Sequence, residues 1–379
     1  MQTLTDKDTM IQQVHQLCLQ NHLTFVSYRY PRKTEIHTMI QYSGDPVELN
    51  SLTDITGQQG FVVAPFSPSP NTPVYLVRPD YYFTDSEIDE SLLNELSEQS
   101  NSAAKMALNG FHQEVSKEKY MREINEIIAE IRKGEFEKAV LSRIHPVEGD
   151  YEQKISRIFS LVCETYQNAF VYLFRIGHHF WLGATPEPLI YSDQENYRTV
   201  SLAATRMYSQ TNTEISNWNK KERQEQQYVT HYIEDVLDRL GIRQYRKSGP
   251  SIRKAGHLLH LCTEFEIPVQ EVNDQLGALI SNLHPTSSVC GLPKEKALGA
   301  ISRLEAHHRE YYAGFLGTIN MEEKIKLFVN LRCMKIYPHH LALFVGGGIT
   351  ADSYPEDEWE ETKMKVDTLK SIISKIDQE

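Results

Sequence analysis

The sequence contains two pairs of glutamates with the same spacing, Glu222 with Glu225 and Glu358 with Glu361. On a helix, residues three apart project from one face. A solvated charged surface is the ordinary explanation, but each pair here continues the apolar stripe of a predicted helix. Acids at the end of a buried stripe need a partner or a cation, and Mg²⁺ prefers carboxylate oxygens. The spacing therefore allows a Mg²⁺ site between two helices, with the charged surface as the alternative.

Two other residues could transfer protons. Lys138 begins KAVLSR (138–143), which is a predicted strand. A lysine there either prevents a sheet edge from pairing with another chain or, when it is partly buried, acts as a general base. Glu187 follows a predicted strand in GATPEPL (183–189) and stands between two prolines. It is either an ordinary loop acid or a general acid held by a restricted backbone.

Three consecutive glycines, Gly346, Gly347 and Gly348, follow the apolar segment 341–345. Glycine lets backbone N–H groups approach an anion closely, but a tight turn explains such a run equally well. No Walker or Rossmann motif follows them. His260 and Arg332 are single polar residues near apolar strands, where a structural role is the more common one.

The overall charge excludes some classes of protein. The chain has 379 residues and a formal net charge of −12, whereas nucleic-acid and anionic-lipid binders need a basic face. The five cysteines form no CxxC motif, which favours a reducing compartment over a disulfide or zinc framework. There is no apolar h-region at the N-terminus and no apolar run of about 18 residues. We expect a cytoplasmic protein with no membrane span.

Helices and strands are interspersed along the chain. Ser116 should cap a helix that Gly134 ends, and further helices are predicted near 218–240 and 356–376. The last strands are predicted near 313–320, 324–336 and 340–346. Short turns join many of the strands, which predicts an α+β fold with two large antiparallel or mixed sheets, packed together and flanked by helices.

Ten motifs, in this order, resemble the chorismate-utilising enzymes. This family includes isochorismate and salicylate synthases, anthranilate synthase component I and aminodeoxychorismate synthases. The motifs are KAVLSR (138–143), GATPEPL (183–189), SLAATR (201–206), KERQEQ (221–226), HLCT (260–263), LHPTSSVCGLP (283–293), REYYAGFLG (309–317), NLRC (330–333), GGGI (346–349) and DSYPEDEWEETKMK (352–365). The resemblance implies one large chorismate-binding fold, with a catalytic region at 115–375 and residues 1–110 as its N-terminal part.

The resemblance also implies roles for the metal and substrate residues. Glu225 and Glu361 correspond to direct Mg²⁺ ligands, and Glu222 and Glu358 support the ion through water. The substrate-binding residues are Thr205, His260, Arg332, Lys365 and the glycines Gly346, Gly347 and Gly348. Chorismate is the implied substrate, and Mg²⁺ is the implied cofactor.

The residue at position 138 separates the reactions of this family. Isochorismate and salicylate synthases have lysine there, as in Lys138, and anthranilate synthases typically have glutamine. Ala203 stands where aminodeoxychorismate synthases carry a nucleophilic lysine. The resemblance therefore implies an isomerase, an isochorismate synthase, in which Lys138 activates water for attack at ring carbon 2. Glu187 then protonates the departing 4-hydroxyl group.

Some positions depart from the family pattern. Ala204 replaces the usual glycine, Pro188 the frequent arginine, and Ser287 and Ser288 the more usual proline and alanine. These changes leave salicylate synthase activity, which also eliminates pyruvate, as the alternative. Anthranilate synthase component I and an inactive chorismate-binding protein are weaker alternatives. We expect a monomer in menaquinone or siderophore synthesis that needs no glutaminase subunit.

Overall fold

The computed structural model describes residues 6–99, 114–209, 213–255, 258–322 and 324–378. The helices in these ranges are α1 (Asp6–Gln20), α2 (Glu90–Glu98), α3 (Lys117–Arg132), α4 (Ile155–Thr165), α5 (Lys220–Arg239), α6 (Val269–Val272), α7 (Leu276–Leu283), α8 (Lys294–Leu304) and α9 (Pro355–Ile376). The strands are β1 (Thr24–Arg29), β2 (His37–Gln41), β3 (Val47–Leu49), β4 (Gly60–Ala64), β5 (Val74–Val77), β6 (Tyr81–Thr84), β7 (Lys138–Glu148), β8 (Phe170–Ile176), β9 (His179–Thr185), β10 (Pro188–Ser192), β11 (Asn196–Met207), β12 (Arg246–Ala255), β13 (Leu258–Pro268), β14 (Gly291–Leu292), β15 (Phe315–Met321), β16 (Lys324–Val329), β17 (Cys333–Tyr337) and β18 (His340–Ile349).

The strands form two nine-stranded sheets. The first has the order β14-β7-β18-β17-β9-β8-β1-β2-β6, and the second β12-β13-β11-β10-β16-β15-β4-β5-β3. The pairings between neighbouring strands are antiparallel, as in β7 with β18 and β11 with β13. The predicted α+β class with two large sheets is confirmed. Residues 24–84 contribute strands to both sheets.

The two sheets face each other across the main hydrophobic core. Phe170 of β8 stacks on Phe328 of β16, with ring centroids 4.3 Å apart and the planes nearly parallel. Phe61 of β4 and Tyr28 of β1 are fully buried in the same core. Because each strand alternates its side chains, one set from each sheet fills this layer.

Helices cover the outer face of the first sheet. The apolar stripe of α9, which includes Leu369, Ile372 and Ile376, is buried against a second core with residues of α1, α4 and the sheet. Helix α5 packs on β11 of the second sheet. Ser116 caps α3 as predicted, accepting a hydrogen bond from the backbone N–H of Lys119. The packing of α5 and α9 on the sheets therefore fixes the positions of the two glutamate pairs, one on each helix.

The chain crosses between the two sheets at two places that matter for the site. Glu187 lies between β9 of the first sheet and β10 of the second, and Arg332 lies between β16 of the second and β17 of the first. The crossovers are hydrogen-bonded to their surroundings: Val329 N donates to Glu187 O at 2.9 Å, and Ala184 N donates to Arg332 O at 3.1 Å. They therefore hold Glu187 and Arg332 in a shared junction.

The second crossover corrects one predicted element. The segment 324–336 was expected to be one strand, but it forms β16 and β17 in different sheets. Arg332 has a φ of +49°, in the left-handed region, so the backbone leaves the extended conformation there. None of the described helices is long and apolar enough to cross a membrane.

Candidate active site

Lys138 is positioned at the first residue of β7. Its Nζ donates a hydrogen bond to Oε1 of Glu225 on α5 at 3.0 Å, and the two side chains are 14% and 29% exposed. β7 lies between β14 and β18, so this lysine does not guard a free sheet edge. It is a partly buried ammonium group whose counter-charge comes from another element.

The glycines of β18 leave room for two functional side chains. A Cβ atom at Gly348 would lie 2.9 Å from Cε of Lys138, and a Cβ atom at Gly347 would lie 3.0 Å from Oε2 of Glu358. Both distances are closer than ordinary van der Waals contact allows. Glycine at these positions therefore lets Lys138 and Glu358 rest directly against the strand backbone.

The glycines are part of the strand and do not form the tight turn considered for them. β18 was predicted to end near residue 346, but it continues to Ile349, with Gly346 paired to Ser142 of β7. The Nζ of Lys365 donates to Gly346 O at 2.7 Å and also pairs with Glu361 at 2.7 Å. The start of α9 is thereby tied to the glycine strand.

Glu187 is a partly buried acid at the sheet junction. Oγ of Ser288 donates to its Oε1 at 2.6 Å. Burial raises the pKa of the Glu187 carboxyl group, while Ser288 and the charges of Lys138 and Arg332 act in the opposite direction. A carboxyl group with a raised pKa can remain protonated and serve as a general acid.

Basic side chains face the same junction. Burial lowers the pKa of Arg332, and Glu187 is among the charges that act on its guanidinium group. Burial also lowers the pKa of His260, and the charges of Arg332 and Lys365 lower it further. Thr205 pairs in register with His260 through the backbone of β11, but its side chain lies outside the described part of the structure. Two cations and an imidazole therefore border one region, a setting suited to an anionic ligand.

Three of the four predicted metal-site carboxylates are paired with basic side chains. Glu225 accepts from Lys138, and Glu361 pairs with Lys365. Glu222 accepts two hydrogen bonds from Arg206, at 2.5 and 2.6 Å, and also closes a capping box at the start of α5.

The glutamates do not form one tight cluster. Within the described ranges, no three His, Cys, Asp or Glu side chains converge as a metal site. Burial raises the pKa of Glu358, and the neighbouring charge of Glu361 raises it further. A cation would relieve that repulsion, and the donors are the hard oxygens that Mg²⁺ takes, so the residues fit the ion. The Mg²⁺ site stays a prediction.

Two residues of the site had no assigned role in the sequence analysis. Ser288 was noted only as a departure in the HPTSS segment, yet it bonds to Glu187. Arg206 ends the SLAATR motif, and it holds Glu222. Both residues lie within recognised motifs, which was the only indication in the sequence that they belong to the site. Their partners could not be read from the sequence, because Glu187 lies 101 residues from Ser288 and Glu222 lies 16 residues from Arg206.

The fold and this junction define an enzyme-type site for a small anionic molecule, with an amine and a carboxylic acid placed beside basic side chains. The family model described as chorismate binding enzyme matches residues 76–374. The chain belongs to this family.

Known relatives support a finer comparison. The isochorismate synthase EntC of Escherichia coli K12 is 32% identical over 198 residues, which is 51% of this chain and 50% of EntC. The match thus spans half the length of that relative. The solved structure of the menaquinone-specific isochorismate synthase MenF from Escherichia coli has a TM-score of 0.76 at 19% identity, and covers 98% of this chain and 91% of MenF.

A second solved structure has the same fold. It is the putative 2,3-dihydroxybenzoate-specific isochorismate synthase DhbC from Bacillus anthracis, with a TM-score of 0.72 at 21% identity, and it covers 95% of this chain and 99% of DhbC. Likeness at such low identity establishes the shared fold, whereas the chemistry depends on the residues at the site.

Proposed function

We propose that this protein is an isochorismate synthase, an isomerase that converts chorismate to isochorismate reversibly. The observation that carries the proposal is that Lys138 and Glu187, an amine and a partly buried acid supplied by different parts of the fold, lie close enough for the charge of Lys138 to act on the Glu187 carboxyl group. The names of the relatives and the family membership agree with this reaction.

Lys138 and Glu187 divide the proton transfers between them. Lys138, in its neutral form, takes a proton from a water molecule as the water oxygen bonds to ring carbon 2. Glu187 gives its proton to the 4-hydroxyl group, the bond from ring carbon 4 to that oxygen breaks, and the ring double bonds shift. Water is consumed and released, so the step balances as an isomerisation. In reverse the two residues exchange the roles of acid and base.

Substrate binding uses the basic side of the junction. Chorismate is a dicarboxylate. Lys365 offers positive charge beside Gly346, and Arg332 offers a second positive charge near His260. His260 lies near both cations, and the family resemblance implies a substrate-binding role for Thr205 as well. Two cations for two carboxylates give an electrostatic match that also fixes the orientation of the ring.

The same proposal includes Mg²⁺. Glu225 and Glu361 would hold the ion, with Glu222 and Glu358 in support through water. When bound, Mg²⁺ supplies positive charge for the ring carboxylate of the substrate. Glu225 and Glu361 would then give up their contacts with Lys138 and Lys365 in whole or in part.

The proposal extends to the cellular setting. The reaction uses water, so no glutaminase subunit is required, and a monomer suffices. All five cysteines are free and buried, which supports a reducing compartment such as the cytoplasm. The MenF structure compared above is that of a menaquinone-specific enzyme, and the product here would enter menaquinone or siderophore synthesis.

The test is the purified protein incubated with chorismate and Mg²⁺, with products identified by NMR and chromatography. Isochorismate without pyruvate is the expected result. Salicylate with equimolar pyruvate would replace the proposal with a salicylate synthase. Unchanged chorismate, together with measurable chorismate binding, would indicate an inactive binding protein.

A further inference from the structure

The hydroxyl group of Ser288 occupies a defined place beside the proposed general acid. It donates to Oε1 of Glu187 at 2.6 Å, across 101 residues of sequence. Among the described residues, Oε2 of the same carboxyl group has no protein hydrogen-bond partner. One oxygen is therefore fixed by the protein and the other is left for the substrate.

A second hydroxyl group fixes the direction of this hydrogen bond. Oγ1 of Thr286 lies 2.6 Å from Oγ of Ser288. A serine hydroxyl has one proton and can accept on its lone pairs, so Ser288 donates to Glu187 and accepts from Thr286. When Glu187 is protonated on Oε2, Oε1 is a carbonyl-type oxygen that still accepts from Ser288, so the direction of the chain is the same in both protonation states. The arrangement serves both protonation states, and it favours the anion because charge-assisted hydrogen bonds are stronger.

The surroundings of Glu187 make this contact matter. Glu187 and Ser288 border a partly open cleft whose walls include Leu189, Leu202 and Val229. A hydrogen bond beside apolar walls is electrostatically stronger than the same bond in water.

We propose that Ser288 is a positioning residue for Glu187, holding Oε1 so that Oε2 carries the proton delivered to the leaving hydroxyl group. The inference rests on the proposed function for the identity of the leaving group. The orientation of the carboxyl group and its proton affinity do not depend on which substrate is bound.

Other charged groups facing Glu187 must be held constant in any test. Lys138 approaches from β7 and Arg332 from the second crossover, and both charges favour the carboxylate. Burial raises the pKa of the Tyr312 phenol, and the charge of Glu187 also acts to raise it. A substitution at Ser288 leaves these three groups in place, so a change in the behaviour of Glu187 is assigned to the lost hydroxyl group.

Ser287 offers a matched control. It is also buried and borders the same cleft, but its hydroxyl group has no hydrogen-bond partner in the described part of the chain. Ser287→Ala removes the same atom from the neighbouring position without touching Glu187. A general loss of polarity in this loop would affect both variants alike, whereas positioning of Glu187 concerns Ser288 alone.

The kinetic test compares Ser288→Ala, Ser288→Thr and Ser287→Ala with the wild type. For Ser288→Ala we expect kcat to fall about tenfold with KM changed less than about twofold, since one oriented hydrogen bond to the acid is lost. Ser288→Thr keeps the hydroxyl group and should recover most of kcat. Equal losses in Ser288→Ala and Ser287→Ala, or no loss in Ser288→Ala, would overturn the inference.

A titration that needs no turnover separates this inference from the proposed function. The ¹³C carboxyl signal of Glu187, assigned by its loss in Glu187→Gln, is followed against pH in the wild type and in Ser288→Ala. Loss of a donor to the carboxylate should move the midpoint to higher pH by about one unit, and the alkaline limb of kcat/KM should move with it. An unchanged midpoint contradicts the positioning role, whereas a wild type that makes no isochorismate contradicts only the proposed function.

Discussion

The ammonium group of Lys138 donates to Oε1 of Glu225 across 3.0 Å, which joins the proposed general base to a proposed metal ligand. Both side chains are less than one-third exposed, so the pair is shielded from much of the solvent. A cation bound to Glu225 would take over the counter-charge that Lys138 now supplies. Metal binding and the availability of the base are thereby linked through one carboxylate.

The first prediction concerns Lys138→Ala. Removing a general base lowers turnover by about 10²- to 10⁴-fold, and chorismate binding should persist because Arg332 and Lys365 remain. Steady-state kinetics gives the first quantity and calorimetric titration with chorismate gives the second. Lys363→Ala is the matched control, since Lys363 forms an exposed pair with Glu360 on α9. Wild-type turnover in Lys138→Ala would contradict the assignment of the base.

The second prediction concerns Glu225→Gln. The amide keeps the shape of the side chain but loses the charge that a hard cation requires, so Mg²⁺ affinity and activity should fall together by at least about tenfold. Calorimetric titration with Mg²⁺ alone measures the affinity without turnover. Glu234→Gln is the control on the same helix, because Glu234 pairs with Lys247 outside the site. Retained Mg²⁺-stimulated activity in Glu225→Gln would exclude this residue as a ligand.

The third prediction tests the glycine strand. In Gly348→Ala the new methyl group would lie 2.9 Å from Cε of Lys138. A lysine side chain can move aside at little cost, so we expect the melting temperature to change by less than about 3 °C while kcat falls about tenfold or more.

The control for this variant is Gly299→Ala in α8. No atom lies within 4 Å of a Cβ placed at Gly299, and alanine favours the helix there. It should retain wild-type kcat and be slightly more stable. A Gly348→Ala protein with normal kcat would show that the position of Lys138 tolerates displacement.

The elements that carry the site were largely predictable, and the way they meet was not. The apolar stripe of α5 placed Glu225 on its buried side, and the stripe of α9 did the same for Glu358. These predictions depend on local periodicity, which a single sequence contains. The contact of Glu225 with Lys138 depends on the packing of α5 near the start of β7, 87 residues away.

The two sheet crossovers also could not be predicted from local sequence patterns. Glu187 was recognised as a candidate acid beside two prolines, and Arg332 as a single polar residue in one long strand. Their shared junction requires β9 and β10, and β16 and β17, to belong to different sheets. Apolar alternation continues through 324–336 and does not mark the change of sheet. The left-handed backbone at Arg332 is set by long-range pairing and not by its residue type.

The fourth prediction concerns the stability of the junction. Arg309 and Glu305 form a buried pair, each about 3% exposed, with hydrogen bonds of 2.5 and 2.8 Å between them. Arg309 also donates to the carbonyl oxygens of Val140 and Val289, so it clamps β7 to the loop that carries Ser288. Glu305→Ala would leave a buried guanidinium group without its counter-charge.

We expect Glu305→Ala to lower the free energy of unfolding by about 3–5 kcal/mol, because an uncompensated buried charge is costly. Chemical denaturation followed by circular dichroism measures the change. Glu360→Ala breaks an exposed pair with Lys363 on α9 and should stay within about 1 kcal/mol of the wild type. If Glu305→Ala lowered the free energy of unfolding no more than Glu360→Ala does, the carbonyl contacts alone would have to stabilise the guanidinium group of Arg309. The clamp between β7 and the Ser288 loop would then not depend on the ion pair.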